Sequence, residues 1–164
     1  MCASIYIHIP FCQAKCDYCD FFSLSLEQYG GAYSAKGEAL LDRYIERLRT
    51  ELRGTLDAFT ASAASSVRAG AGSFVIPSVY IGGGTPSLLG ARRLAFLLDC
   101  FSGYGPPCAA DAAVPGPAPA ADGGERPEIT LEMNPGFGPS RKDGDEALLD
   151  AARRGGVTRL SLGV

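Results

Sequence analysis

The sequence predicts an α/β fold with a parallel sheet, the beginning of an incomplete (β/α) barrel. Three observations carry that prediction. Short apolar strands alternate with longer helix-period segments, glycine-rich turns follow strands, and 46% of the 164 residues are hydrophobic, enough for one core. Strand and helix in alternation imply right-handed crossovers and parallel pairing.

The elements follow in order. Ile5, Ile7 and Ile9 share one face of a strand that Pro10 ends. A cysteine-bearing loop comes next, and then Leu40, Leu41, Tyr44, Ile45, Leu48, Leu52 and Leu56 recur at helical spacing over Glu38–Phe59. Ala61–Ser73 is rich in Ala, Ser and Gly and reads as a flexible connection, so that a first insertion covers about residues 60–74. A second strand centres on Val79, Tyr80 and Ile81, with Pro77 tolerable only at its start. Gly82-Gly83-Gly84-Thr85-Pro86 breaks it, and Leu88–Phe101 reads as a helix with Arg92 and Arg93 on its polar side.

Residues 103–127 are Pro, Ala, Gly and Asp with almost no large apolar side chain, a composition that reads as a second, disordered insertion. Glu128–Met133 reads as a third strand, Asp143–Arg154 as a third helix closed by Gly155-Gly156, and Val157–Val164 as a fourth strand. A fourth strand with no helix after it leaves an apolar edge open. The expectation is one partial domain over residues 1–164, a fragment of a longer protein or a truncated gene product.

The net charge of −3, with Lys and Arg scattered among Asp and Glu, gives no basic stripe for nucleic acid or anionic lipid. No apolar run reaches the roughly 20 residues of a membrane span, and Met1–Pro10 lacks the pattern of a secretory signal. A cytoplasmic protein is the expectation. Six cysteines could suggest disulfides, but three are clustered and three scattered, which fits a reducing compartment better. Cys2, Cys100 and Cys108 read as incidental or buried thiols.

Phe11-Cys12-Gln13-Ala14-Lys15-Cys16-Asp17-Tyr18-Cys19 puts three thiols at C-x3-C-x2-C spacing on one loop after a strand. Such thiolates can converge on a soft metal centre, and a cubane cluster held by three of them keeps one iron open. A closed zinc site would want a fourth ligand, for which His8, the only histidine, is conceivable; a hydrogen-bonded structural histidine is the alternative. The glycine turn would let backbone N–H groups approach a ligand, though it lacks the lysine of a P-loop and the pattern of a dinucleotide fold. Glu132, at the end of the third strand, could accept hydrogen bonds from ribose hydroxyls. In parallel α/β folds ligands bind at the C-terminal ends of strands, where all three features would meet.

With Tyr18 as its aromatic, the loop resembles the C-x3-C-x-aromatic-C signature of the radical S-adenosylmethionine (SAM) superfamily. More narrowly, Ile5–Cys12, Tyr80–Leu89, Glu128–Gly136 and Gly156–Val164 resemble the oxygen-independent coproporphyrinogen III oxidase family. The resemblance implies a radical SAM barrel with a [4Fe-4S] cluster ligated by Cys12, Cys16 and Cys19. SAM would bind the open iron and be cleaved to methionine and a 5'-deoxyadenosyl radical. Gly83, Gly84 and Thr85 would line its methionine end, Glu132 its ribose, and Tyr6 and Tyr18 would pack near it; no catalytic side chain is assigned. True oxidases of the family carry a further cysteine two positions after the third, where this chain has Phe21. Cys19-Asp20-Phe21 resembles instead the branch of heme chaperones, which implies heme as cargo, a heme-accepting respiratory protein and an electron donor as partners. The alternatives are a coproporphyrinogen III oxidase acting on a porphyrinogen substrate, and an inactive metal-binding piece.

Overall fold

The computed structural model describes residues 2–65, 74–102, 127–134 and 144–163. Strand β1 (Ile5–Ile9) leads into two-residue strands β2 (Phe11–Cys12) and β3 (Leu24–Ser25), then helix α1 (Ala35–Ser65), β4 (Ser78–Gly83), α2 (Gly90–Leu98), β5 (Glu128–Met133), α3 (Gly144–Arg154) and β6 (Val157–Leu162). The main sheet runs β1-β4-β5-β6, every pair parallel, so each successive strand is added beside the last through a helical crossover.

Alternation along the strands divides the sheet into two faces. Ile7, Ile9, Val79, Ile81, Ile129, Leu131 and Met133 are all buried beneath the helices, which contribute Leu41, Ile45, Leu56, Leu94, Leu97 and Leu148 to the same core. The opposite face carries Tyr6 and His8, paired in register with Tyr80 and Gly82 on β4. Thr130 of β5 lies opposite Tyr80, and Arg159 and Ser161 of β6 lie opposite Thr130 and Glu132. One face is therefore aliphatic and covered, the other polar and aromatic, as a barrel wall requires. At the outer edge of the sheet Leu160 and Leu162 of β6 are exposed.

Three elements differ from the sequence expectation. Helix α1 does not stop at Phe59 but continues through Ala61–Ser65, with Ala63 buried. The Ala-rich composition taken as a flexible connection is equally that of a good helix former, and packing decides in favour of the helix. The proposed insertion is also too long at its other end, since Phe74 is buried and stacks on Phe59 at 5.4 Å. Residues 66–73 and 103–126 lie outside the described residues, so that the cores of both expected insertions stay expectations. Leu88–Phe101 is segmented, with 3-10 turns at Pro86–Leu89 and Asp99–Phe101 flanking the shorter α2.

Arg93 corrects a further expectation. Arg92 is solvent-exposed as foreseen, but Arg93 is only 5% exposed and faces α1. Its Nε donates to Asp42 Oδ1 at 2.7 Å, one guanidinium nitrogen pairs with Glu38 and the other donates to Leu89 O at 3.3 Å. A long apolar stem buried with its charged fork satisfied is compatible with a helix interface, and periodicity alone does not reveal the partner carboxylates. Cys100 is buried, and burial pushes its thiol pKa up; Cys2 is disulfide-bonded rather than the incidental thiol expected.

The Arg93 hydrogen bond holds the Asp42 carboxyl below its usual value of 3.8, against the opposing effect of desolvation. A depressed folded-state pKa gives stability that is present above the unfolded value and lost as pH falls through the folded one. Arg93→Leu is therefore expected to cost about 2 kcal/mol at neutral pH. That deficit should shrink as pH falls below the usual carboxylate range and Asp42 protonates in the wild type. Urea unfolding of both proteins across this range measures it.

Candidate functional site

The C-terminal ends of β1, β4 and β5 bring the cysteine loop, the glycine turn and Glu132 to one rim. The loop leaves β1 at Pro10 and is closed at its base by the β2–β3 ladder, Phe11 opposite Leu24 and Cys12 opposite Ser25, with Leu24 N–H donating to Pro10 O at 2.7 Å. Three side chains pin it further. Lys15 Nζ donates to Phe21 O at 2.7 Å and Ser23 Oγ at 3.1 Å, and Gln13 Oε1 accepts from Ala32 N at 3.3 Å. His8 Nε2 lies 2.8 Å from Phe22 O, which can only accept, so this nitrogen carries the proton. In the neutral ring His8 Nδ1 then accepts from Tyr6 Oη at 3.3 Å. With both nitrogens engaged, His8 is the hydrogen-bonded structural histidine and not a fourth zinc ligand. Tyr44 on α1 donates to His8 O at 2.5 Å and packs edge-on against Phe11, fixing the strand from the core side.

Cys12, Cys16 and Cys19 are free thiols on this one loop, Cys16 exposed and the others half-buried, and Cys19 N–H donates to Cys16 O at 3.1 Å. Among the described residues no three His, Cys, Asp or Glu side chains gather closely enough to hold a metal ion, so the three thiols share a loop without converging. The donor set nevertheless suits an iron-sulfur cluster: three soft ligands, close in sequence, beside a turn that has no side chain to obstruct them. Tyr18 is 88% exposed, whereas Tyr6 lies on the polar face in register with Tyr80.

The glycine turn is shaped by close approach. A Cβ on Gly84 would sit 2.5 Å from Phe11 O and 3.0 Å from Cys12 Sγ; on Gly83, at φ +116°, it would meet His8 Nδ1 at 2.7 Å. The turn's N–H groups are not available as expected. Gly83 N donates to Glu132 Oε2 at 3.1 Å, Gly84 N to Ile9 O at 2.8 Å and Thr85 N to Phe11 O at 2.7 Å. Thr85 itself is buried. The turn therefore welds β4 to β1 and β2, and what it offers a ligand is closeness.

Glu132 is gripped on both oxygens, by Gly83 N–H and by Tyr80 Oη, which donates to Oε1 at 2.6 Å. Tyr80 stacks on Tyr6 with ring centroids 6.0 Å apart. Its hydrogen bond to Glu132 pushes the Tyr80 phenol pKa up; for Tyr6 burial does so first and the Glu132 charge second. Sequence reasoning missed Tyr80 because its signal was that of an ordinary strand residue. The alternation that puts it on Glu132's side of the sheet was nonetheless visible once Val79 and Ile81 were assigned to the core.

Comparison with known proteins gives the chain its relatives. No protein-family model matches the chain. Curated relatives do: the heme chaperone HemW of Escherichia coli K12 is 35% identical over 161 residues, covering 98% of this chain and 31% of the relative. HemW of Mycobacterium tuberculosis H37Rv is 41% identical over 98 residues, covering 58% of this chain and 20% of the relative, and that of Haemophilus influenzae is 33% identical over 133 residues. The chain is homologous to the HemW proteins. It spans about a third or less of their length. Among solved structures, the coproporphyrinogen III oxidase HemN of Escherichia coli, described as a radical SAM enzyme, matches with a TM-score of 0.61 at 22% identity over 98% of this chain and 27% of its own. The chain thus shares the α/β fold of about a quarter of that structure. No helix among the described residues is long and apolar enough to cross a membrane.

The crowding around Gly84 makes a direct test. Gly84→Ala is expected to destabilise the chain by about 1–3 kcal/mol, because backbone and a cysteine sulfur must move. Gly54→Ala, on α1 where a Cβ meets nothing within 4 Å, is expected to stabilise it by about 0.5–1 kcal/mol. Denaturant unfolding of the pair separates close approach from glycine flexibility.

Proposed function

We propose that this chain is the cluster- and SAM-binding part of a radical SAM heme chaperone. The observation that carries the reading is the meeting of the free-thiol loop, the glycine turn and the doubly held Glu132 at the C-terminal ends of three adjacent strands, in a chain homologous to HemW. Cys12, Cys16 and Cys19 are the ligands of a [4Fe-4S] cluster, to which they come by turning inward about the Cys16–Cys19 turn. The cluster, when bound, supplies an open iron for the methionine end of SAM and the electron for its reductive cleavage.

The rest is the work of this chain's own side chains. Lys15, Gln13 and His8 hold the loop's base so that only its tip must rearrange. Gly83, Gly84 and Thr85 let the methionine end lie against the turn; since their N–H groups are spent, the turn meets the ligand amine through carbonyl oxygens. Glu132 accepts the ribose hydroxyls, Tyr6 packs beside them on the polar face, and Tyr18 comes to the ligand with the loop tip. Phe21, in place of a further cysteine, favours the chaperone branch with heme as cargo, a respiratory acceptor protein and an electron donor over oxidation of a porphyrinogen. Cytoplasmic residence fits an oxygen-sensitive cluster and the free thiols of the loop, with the Cys2 disulfide the one feature that runs against it.

Anaerobic iron-sulfur reconstitution of the wild type and of a Cys12→Ala, Cys16→Ala, Cys19→Ala triple variant, read by absorbance and low-temperature EPR, tests this. The expected result is a reduced-cluster signal that shifts on adding SAM and is absent in the variant. Failure of the wild type to take up a cluster, with zinc found instead, overturns it. Heme transfer to an acceptor without carbon dioxide release from coproporphyrinogen then marks the chaperone, and the reverse marks the oxidase.

A further inference from the structure

We infer that Tyr80 is a positioning residue for the nucleoside end of the ligand, fixing the Glu132 carboxylate so that its remaining lone pairs face a ribose diol. The inference rests on the SAM-binding reading above and adds to it a residue outside the signature motifs.

The argument begins with the sheet. Tyr6, Tyr80 and Thr130 stand side by side on β1, β4 and β5, with His8, Gly82 and Glu132 one step further toward the rim. Within β4, Tyr80 and Gly82 share a face, so the Tyr80 ring must lean past Gly82 to reach Glu132. Gly82 is what permits it: a Cβ there would lie 2.8 Å from Tyr80 Cε1 and 2.9 Å from Glu132 Oε2. Unlike Gly83, Gly82 has no positive φ, so its backbone does not explain the missing side chain. Space for the ring and the carboxylate does.

The contact leaves Glu132 in a defined state. A carboxylate offers about four lone-pair sites. The phenol takes one on Oε1 and Gly83 N–H one on Oε2, so each oxygen keeps one acceptor site. Two adjacent acceptors, on a group whose rotamer is already fixed, match two vicinal hydroxyls, and binding then pays no ordering cost for the glutamate side chain. Tyr80 is held in turn by stacking on Tyr6 and by the proximity of Ser161 on β6. The upward displacement of the Tyr80 phenol pKa agrees with a proton donated to a carboxylate.

The test is a double-mutant cycle on SAM affinity, by equilibrium dialysis with the anaerobically reconstituted chain, together with the titration of Tyr80 followed by NMR of 13Cζ-labelled tyrosine without SAM. Tyr80→Phe is expected to weaken SAM binding about tenfold. Glu132→Gln should weaken it at least as much, and the double variant no more than Glu132→Gln alone, within about twofold. The Tyr80 resonance should titrate above free tyrosine in the wild type and move toward it in Glu132→Gln. Equal weakening by Tyr80→Phe in both backgrounds, no weakening at all, or a Tyr80 titration indifferent to Glu132→Gln overturns the positioning role while leaving the SAM reading in place. A wild-type chain that binds no SAM, or a Glu132→Gln variant that binds it normally, overturns the assignment of Glu132 and the role of Tyr80 with it.

Discussion

The packing of the glycine turn against the first strand is the constraint on which the rest of this structure depends. Gly84 N–H and Thr85 N–H reach across to Ile9 O and Phe11 O, and the turn can come that close only because Gly84 has no side chain. Two backbone hydrogen bonds thus extend the β1–β4 pairing beyond the strand ends and into the base of the cysteine loop. Because Gly83 faces Glu132 from the same turn, β5 is tied into the arrangement as well. The position of the cysteines relative to Glu132 is therefore a property of the backbone, with side chains refining it.

The two faces of the sheet divide the labour. On the helix side, burial of isoleucine, leucine and valine supplies the cohesion, and the Arg93–Asp42–Glu38 and Arg49–Asp99 pairs align α2 on α1. Such pairs between half-exposed carboxylates and buried or semi-buried guanidinium groups give geometry more than energy. On the other side the polar residues are linked strand to strand: Tyr6 to His8 and Tyr80, Tyr80 to Glu132, Glu132 to Gly83. A network that spans three strands can be completed only when those strands are in register, so it also reports on correct assembly.

Much of this was legible in the sequence. The alternation of Ile5, Ile7 and Ile9, the central Val79–Ile81 and the run Glu128–Met133 predicted the first three strands of the main sheet, and the cysteine spacing, the glycine turn and Glu132 were each placed at strand ends, where they are found. What escaped were features decided by tertiary partners. Arg93 looks like a surface residue until Asp42 and Glu38 arrive from a helix some fifty positions away. Ala61–Ser65 has a composition shared by linkers and helices, and only the burial of Ala63 distinguishes them. The β2–β3 ladder is two residues long, too short for any period to register. The N–H groups of the turn could not be known to be spent, because their acceptors belong to other strands.

That same short ladder gives the cysteine loop a mechanical independence. With Cys12 opposite Ser25 and Pro10 O bonded to Leu24 N–H, the two ends of the loop are clasped before any metal is present, and the entropy of bringing them together is already spent. The segment between can open, react or reorganise as a small cooperative unit while the strand that feeds it stays in the sheet. Oxidation of the thiols would therefore be a local injury, repairable in place by a folded protein that has kept its sheet intact.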